Sequence, residues 1–239
     1  MENNKNLIFY LIVVIFYLSG CAPRVTPPPL YRGVDLTLDE VISRAGRDID
    51  TLKAVVDVTI KKKNKYYSSI NASVLIKRPG LVHLRIYKFG MLMDDIVIRN
   101  NEVHVVSGKE RAWLKHVGRE IYHAIFWWDG IMDASMRRRG SEYIIKTEGM
   151  EMRLDNRSLF PLSQVIKISD RSAQISYSRP KMEGDRWFPS LIKIDMEGLS
   201  FSIKIEKLFL NPESGNMDFK LPEEVRNLHQ LPLHSQVQG

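Results

Sequence analysis

Cysteine is almost absent: the 239 residues hold one, Cys21. That excludes an internal disulfide, a zinc site built on several thiolates and a CxxC redox pair. Metal-binding spacing is missing too, since His83, His104, His116, His123, His229 and His234 form neither HExxH nor HxH. Ser19 and Ser107 stand beside glycines, yet neither lies in a GxSxG elbow, and there is no glycine-rich phosphate loop. Asp94 and Asp95 are neighbours in sequence, but neighbours on a strand point to opposite faces. These absences describe a protein that is not an enzyme and needs no metal or cofactor. No βαβ rhythm or internal repeat occurs, which argues against a dinucleotide-binding fold. A full membrane span is missing as well, because the apolar run Leu7–Leu18 falls short of the roughly twenty residues a spanning helix needs.

What that run does fit is the apolar core of an export signal. Asn3, Asn4, Lys5 and Asn6 precede it, and Ser19, Gly20 and Cys21 follow. LSGC, Leu18–Cys21, resembles the lipobox of bacterial lipoproteins. The resemblance implies cleavage before Cys21, diacylglyceryl modification of its thiol and acylation of the new amino end. Three acyl chains suffice to hold a protein on a bilayer. Ala22 stands where an aspartate often signals inner-membrane retention, so the pattern resembles that of lipoproteins sent to the outer membrane. The expectation is a signal peptide over 1–20 and a lipid-anchored, periplasm-facing protein.

The formal charge is +7 with a pI near 9.4, and loss of Glu2 and Lys5 with the signal leaves it unchanged. Such a charge favours an anionic partner. Lys61, Lys62, Lys63 and Lys65 form one basic knot and Arg137–Arg139 another, each readable as a solvated turn. An exported chain has little access to nucleic acid, so lipid headgroups are the better use of the charge.

Residues 21–36 form a tether in which Pro27–Pro29 favours an extended polyproline spacer. Thr37 and Glu40 have capping-box spacing, and Leu38, Val41, Ile42 and Ala45 make one apolar stripe, so a helix is predicted from about Leu38 to Gly46. Beyond it the period is two. Leu52, Ala54, Val56, Val58 and Ile60 describe a long half-buried strand, and Ile70–Ile76 a second. KRPG at Lys77–Gly80 turns the chain into LVHLRIY, with DDIVIRN and EVHVV following across Asn100–Asn101. His83 and His104 fall on the polar phases and are expected to be exposed. Arg119–Met136 breaks the alternation and reads as helical, interrupted near Gly130. Strands then return as YIIKT, MEMRLD, SQVIKIS, AQISYS, SLIKIDM and LSFSIKIEKLFL, the last two joined at Glu197–Gly198. A phase shift at Leu208 marks a bulge. The fold class is mainly β: one strongly curved antiparallel sheet of about ten or eleven strands, packing on helices or curling round a cavity.

Two apolar segments stand out. Met91, Leu92 and Met93 lie where a hairpin tip should be polar, unless Met91 and Met93 begin the next strand and pack inward. Ile125, Phe126, Trp127 and Trp128 can cap a cavity, sit at a membrane interface or fill the core. Met150, Met152 and Met196 suit an irregular apolar ligand or ordinary packing.

SVLIKRPG at Ser73–Gly80, LVHLRIYKFGMLMDDIVIRNNEVHVV after it, and AQISYSRPKMEGDRWFPSLIKIDMEGLSFSIKIEKLFLN at Ala173–Asn211 resemble the bacterial lipoprotein-localisation family. That family comprises the periplasmic lipoprotein carrier and the outer-membrane receptor, LolA and LolB. The likeness covers roughly residues 38–210 at the level of the family. It implies an unclosed barrel with a helical lid over an apolar cavity that takes acyl chains of lipoproteins. It also implies a membrane-insertion loop at Met91, Leu92 and Met93, with Leu92 in the place of the receptor's protruding leucine. Ile125–Trp128, Met150, Met152 and Met196 become lid or cavity candidates. On this reading the partners are membrane lipid through Cys21, acyl chains and a periplasmic carrier, and the protein is a monomer. The half-barrel domain is placed at 37–221 and a tail at 222–239. FKLPEEVRNLHQLPLHSQVQG, from Phe219, runs past the strand that closes the family's sheet. An assembly lipoprotein that binds a partner protein is the other reading.

Overall fold

The computed structural model describes residues 30–31, 35–99, 102–108, 121–129, 131, 133–168, 171–196, 198–212 and 219. The signal segment, Cys21, the proline spacer, the tail and the joints at Asn100–Asn101, Gly130 and Glu197 lie outside the described residues, as does 109–120. The first element among the described residues is helix α1 (Leu38–Ala45). Thr37 Oγ1 accepts from the Glu40 amide while the Glu40 carboxylate accepts from the Thr37 amide, the reciprocal cap its spacing predicts.

Among the described residues twelve strands follow: β1 (Thr51–Lys62), β2 (Lys65–Lys77), β3 (Leu81–Lys88), β4 (Met91–Arg99), β5 (Glu102–Ser107), β6 (Ser135–Arg139), β7 (Glu142–Lys146), β8 (Met150–Asp155), β9 (Pro161–Ile168), β10 (Arg171–Glu183), β11 (Arg186–Met196) and β12 (Leu199–Leu210). They make one antiparallel sheet in the order β5-β4-β3-β2-β1-β12-β11-β10-β9-β8-β7-β6. Two hairpin meanders are therefore joined at the centre, where β1 lies along β12 with Ile60 opposite Phe201 and Leu52 opposite Leu210. The sheet is an unclosed barrel, its free edges β5 and β6. The chain passes from one edge to the other through the stretch that contains the lid helix, residues 121–125.

One strand exceeds the expected number. Ser135–Arg139 is β6, an exposed edge strand, although Ser135 and Met136 read as the end of the helical middle and Arg137–Arg139 as a turn. Three consecutive arginines with no apolar alternation give a strand no signature of its own, and pairing with β7 decides it. The expected bulge lies near its predicted place: the β1–β12 register jumps from Val55↔Lys207 to Val56↔Ile205, leaving Glu206 as the extra residue.

The inner face carries the core. Leu52, Ala54, Val56 and Ile60 of β1, Val82, Leu84 and Ile86 of β3, and Ile192, Ile194, Phe201 and Ile203 of β11 and β12 belong to one buried cluster with Ile121, Ala124, Phe126, Trp127 and Trp128. Among the described residues no helix is long and apolar enough to cross a membrane.

The outer face departs from expectation at His83 and His104, which are both buried. Leu75, His83, Val97 and His104 stand opposite one another in register across β2 to β5. Phe219 is buried too, its ring 6.3 Å from that of His83. The histidines sit on the outward phase, as the alternation says, but Phe219, beyond β12, packs beside His83. His83 Nε2 is 2.6 Å from Asp95 Oδ1, and Asp94 points to the opposite face.

Candidate functional site

The lid helix lies across the inner face of β1–β3 and β10–β12. Between them run two clefts. Ile121, Ala124 and Ile125 face Val56, Val58, Ala72, Phe201 and Ile205 across the first. The second is bounded by Ile125, Trp127, Trp128, Tyr177, Phe188 and Ile192. Each leaves about 30 Å³ of free space, enough for one or two waters and far too little for an acyl chain. Among the described residues the lid helix thus packs over the apolar face along both clefts.

Polar contacts from three directions hold the lid. The helix breaks after Ile125, so the Ala124 carbonyl loses the amide that would continue the ladder. The Tyr177 hydroxyl of β10 donates to that carbonyl at 2.9 Å and lies 2.8 Å from Gln164 Oε1. Burial drives the Tyr177 phenol well above its ordinary pKa, so it remains a donor. At the far end Tyr122 donates to the Asp129 carboxylate, and Arg78 Nη2 lies 2.5 Å from Asp129 Oδ1. Burial first, then the Asp129 carboxylate, pushes the Tyr122 phenol up to about 12. Arg78 also donates to the Arg47 carbonyl at 2.9 Å, so one side chain in the β2–β3 turn clasps both the lid and the end of α1.

Trp128 lies against Gly46, the residue that ends α1 with a positive φ of 153°. A Cβ there would be 2.6 Å from Trp128 Cζ2, so the bare backbone admits the indole. Among the described residues Trp128 Nε1 is buried without a hydrogen-bond partner. Phe126 is fully buried, stacks on Tyr122 with centroids 5.4 Å apart, and does not line either cleft. Met152 is fully buried in the core, while Met150 and Met196 pack at its margin, and none of the three lines a cleft. Met150 Sδ instead accepts from Gln164 Nε2 at 3.0 Å.

Met91, Leu92 and Met93 begin β4, but they do not pack inward. Their exposures are 63%, 47% and 42%, and Phe89 in the turn before them reaches 87%. Lys88 Nζ stands 5.6 Å from the Phe89 ring. The bottom of the clefts is built by residues that the linear reading did not single out as lining: Tyr177, Phe188, Ile192 and Ile205. Their only sequence signal was the inward phase of β10–β12. Among the described residues no group of three or more His, Cys, Asp or Glu is placed to hold a metal ion.

No protein-family model matches the chain, and no curated protein does. Solved structures match its shape. A LolA superfamily protein from Nitrosomonas europaea superposes with a TM-score of 0.57 at 10% identity, over 78% of this chain and 98% of that one. A putative outer membrane lipoprotein-sorting protein domain from Vibrio parahaemolyticus gives 0.45 at 13% identity, over 80% and 95%. A DUF1329 family protein from Desulfovibrio piger gives 0.48 at 14% identity, over 77% and 92%. The chain shares the fold of the Nitrosomonas europaea structure.

Proposed function

We propose that this protein is an outer-membrane lipoprotein, anchored through Cys21, that takes acyl chains of lipoproteins or other lipids onto the inner face of its half-barrel and assists their transfer into the membrane. It performs no covalent chemistry. The observation that carries the reading is an extensive apolar sheet face with a short helix packed across it. Each methylene moved from water onto such a face contributes about 0.8 kcal/mol, and a lid that returns supplies the means of release. Trp128 Nε1 is the unpaired donor available to an ester or carboxyl head. Met91, Leu92 and Met93 serve as the element that enters the bilayer, and a periplasmic carrier is the donor of cargo. The likeness to a LolA superfamily structure supports the fold on which this rests.

The small clefts favour a second reading, in which the core is permanently filled and the protein is a structural or assembly lipoprotein that binds a protein partner. Titration with an acylated lipopeptide separates the two, read by tryptophan emission, to which Trp127, Trp128 and Trp187 contribute from the second cleft. Saturable micromolar or tighter binding with a shifted tryptophan emission is the expected result. Absence of binding removes the carrier reading and leaves the second.

A further inference from the structure

The β1–β2 hairpin carries Lys61, Lys62, Lys63 and Lys65, and directly after them Tyr66 and Tyr67. The tyrosines are 68% and 62% exposed. The β1–β2 register slips from Ile60↔Ser68 to Lys61↔Tyr66, so Tyr67 is an extra residue in a bulge and two adjacent rings face outward. Pairing of β2 with β3 stops at Asn71↔Tyr87, and Lys65–Ile70 runs on beyond it without a strand on that side.

Charge distinguishes this end of the sheet. Four strand lysines elsewhere have carboxylate partners, Lys146 with Glu151, Lys181 with Glu183, Lys193 with Asp195 and Lys204 with Glu206, whereas Lys53, Lys77, Lys167 and Lys207 stand singly along their strands. No acidic residue occurs from Val58 to Ile70 or from Tyr87 to Met93. Lys61, Lys62, Lys63, Lys65 and Lys88 make no ion pair with a described residue. In an antiparallel meander β1→β2→β3→β4, the β1–β2 and β3–β4 turns open at the same end. Five lysines without an ion pair among the described residues, two tyrosines and the exposed Phe89–Met93 segment are thus gathered at one end.

We propose that the β1–β2 hairpin docks on an anionic bilayer surface beside the β3–β4 tip. Its lysines meet headgroup phosphates, and Tyr66 and Tyr67 sit at the interface, where an amphipathic ring has both its media. The β3–β4 tip alone offers apolar depth with one lysine. The hairpin adds charge selectivity and a second point of contact, which fixes how the half-barrel stands on the lipid. This rests on the membrane-insertion reading of Met91–Met93.

The test uses the full chain with Cys21→Ser, so that an introduced thiol is the only one. Ser69→Cys, on the exposed part of β2 beyond the β3 pairing, reports the hairpin, and Met91→Cys reports the tip. Each is labelled with an environment-sensitive fluorophore and mixed with phosphatidylethanolamine vesicles with and without phosphatidylglycerol. The expected result is a blue shift of both probes on the anionic vesicles. Lys61, Lys62, Lys63 and Lys65→Gln together should weaken the Ser69→Cys response roughly tenfold or more, with thermal unfolding unchanged. A silent Ser69→Cys probe beside a responding Met91→Cys probe overturns the hairpin proposal and leaves the tip reading standing. Silence of both overturns the tip reading as well. A hairpin response that is equal on neutral vesicles, or indifferent to the four substitutions, overturns the electrostatic docking.

Discussion

The Tyr177 hydroxyl on β10 donates to the backbone carbonyl of Ala124, 53 residues earlier in the chain and on the inner side of the lid. A strand on one side of the sheet thereby satisfies a carbonyl that the broken lid helix leaves open. Tyr177→Phe keeps the ring and removes the donor. We expect a loss of about 1–3 kcal/mol in denaturant unfolding, the cost of an unsatisfied buried acceptor. Amide exchange at residues 121–128 should accelerate while β1 and β12 remain protected. Unchanged exchange in the lid would show that apolar contact alone holds it.

Gly46→Ala tests the contact from the other side. The new methyl would meet the Trp128 ring at 2.6 and 2.7 Å, on a backbone whose φ already disfavours a side chain. Destabilisation of about 1–3 kcal/mol is expected, together with a change in tryptophan emission as the indole is displaced. Wild-type emission and stability would mean that the α1–lid contact is not held in solution.

Leu92→Asp probes the tip. Leu92 is 47% exposed, so stability should stay within about 0.5 kcal/mol of the parent. Affinity for an acylated probe should be retained, while delivery of that probe to vesicles is lost. Loss of both would place Leu92 in binding rather than insertion.

Acid should loosen the junction between the end of α1 and β11. Arg186 Nη1 and Nη2 lie 2.6 and 3.0 Å from the two Asp48 oxygens, and this pairing holds the Asp48 carboxyl below its ordinary 3.8. A carboxylate with a depressed pKa contributes stability above its unfolded value, and the contribution fades as pH falls through the folded one. Asp48→Asn should therefore remove a small increment, below about 1 kcal/mol because the side chain is largely solvated, at neutral pH. The difference between variant and parent should vanish in strong acid. Unfolding midpoints at neutral pH and in strong acid check both halves.

Much of the fold was legible because hydrophobic period is a local property. The Thr37–Glu40 cap and the stripe of Val41 and Ile42 fix α1, and the alternation from Leu52 to Ile60 fixes β1 and its inward face. β6 was not legible, since Ser135–Arg139 has no alternation and owes its conformation to β7. The histidines show the same limit in a different form. His83 and His104 do lie on the outward phase, but phase gives a direction and not an exposure. Phe219, more than a hundred residues away in sequence, is what His83 meets on that face, and alternation along β3 cannot announce it.

The candidate site divides along the same line. The two-residue alternation of each strand and the apolar character of Met91–Met93, too great for a solvated turn, follow from residue order, whereas the helix ends at Ile125, ahead of the interruption expected near Gly130. The pairing of β1 with β12, the meeting of Tyr177 with Ala124, the seating of Trp128 on Gly46 and the convergence of two hairpins at one end do not follow from residue order. Alternation states which way a side chain points relative to its own strand. The identity of what it meets is set by non-local pairing, and that choice is made only when the whole sheet has assembled.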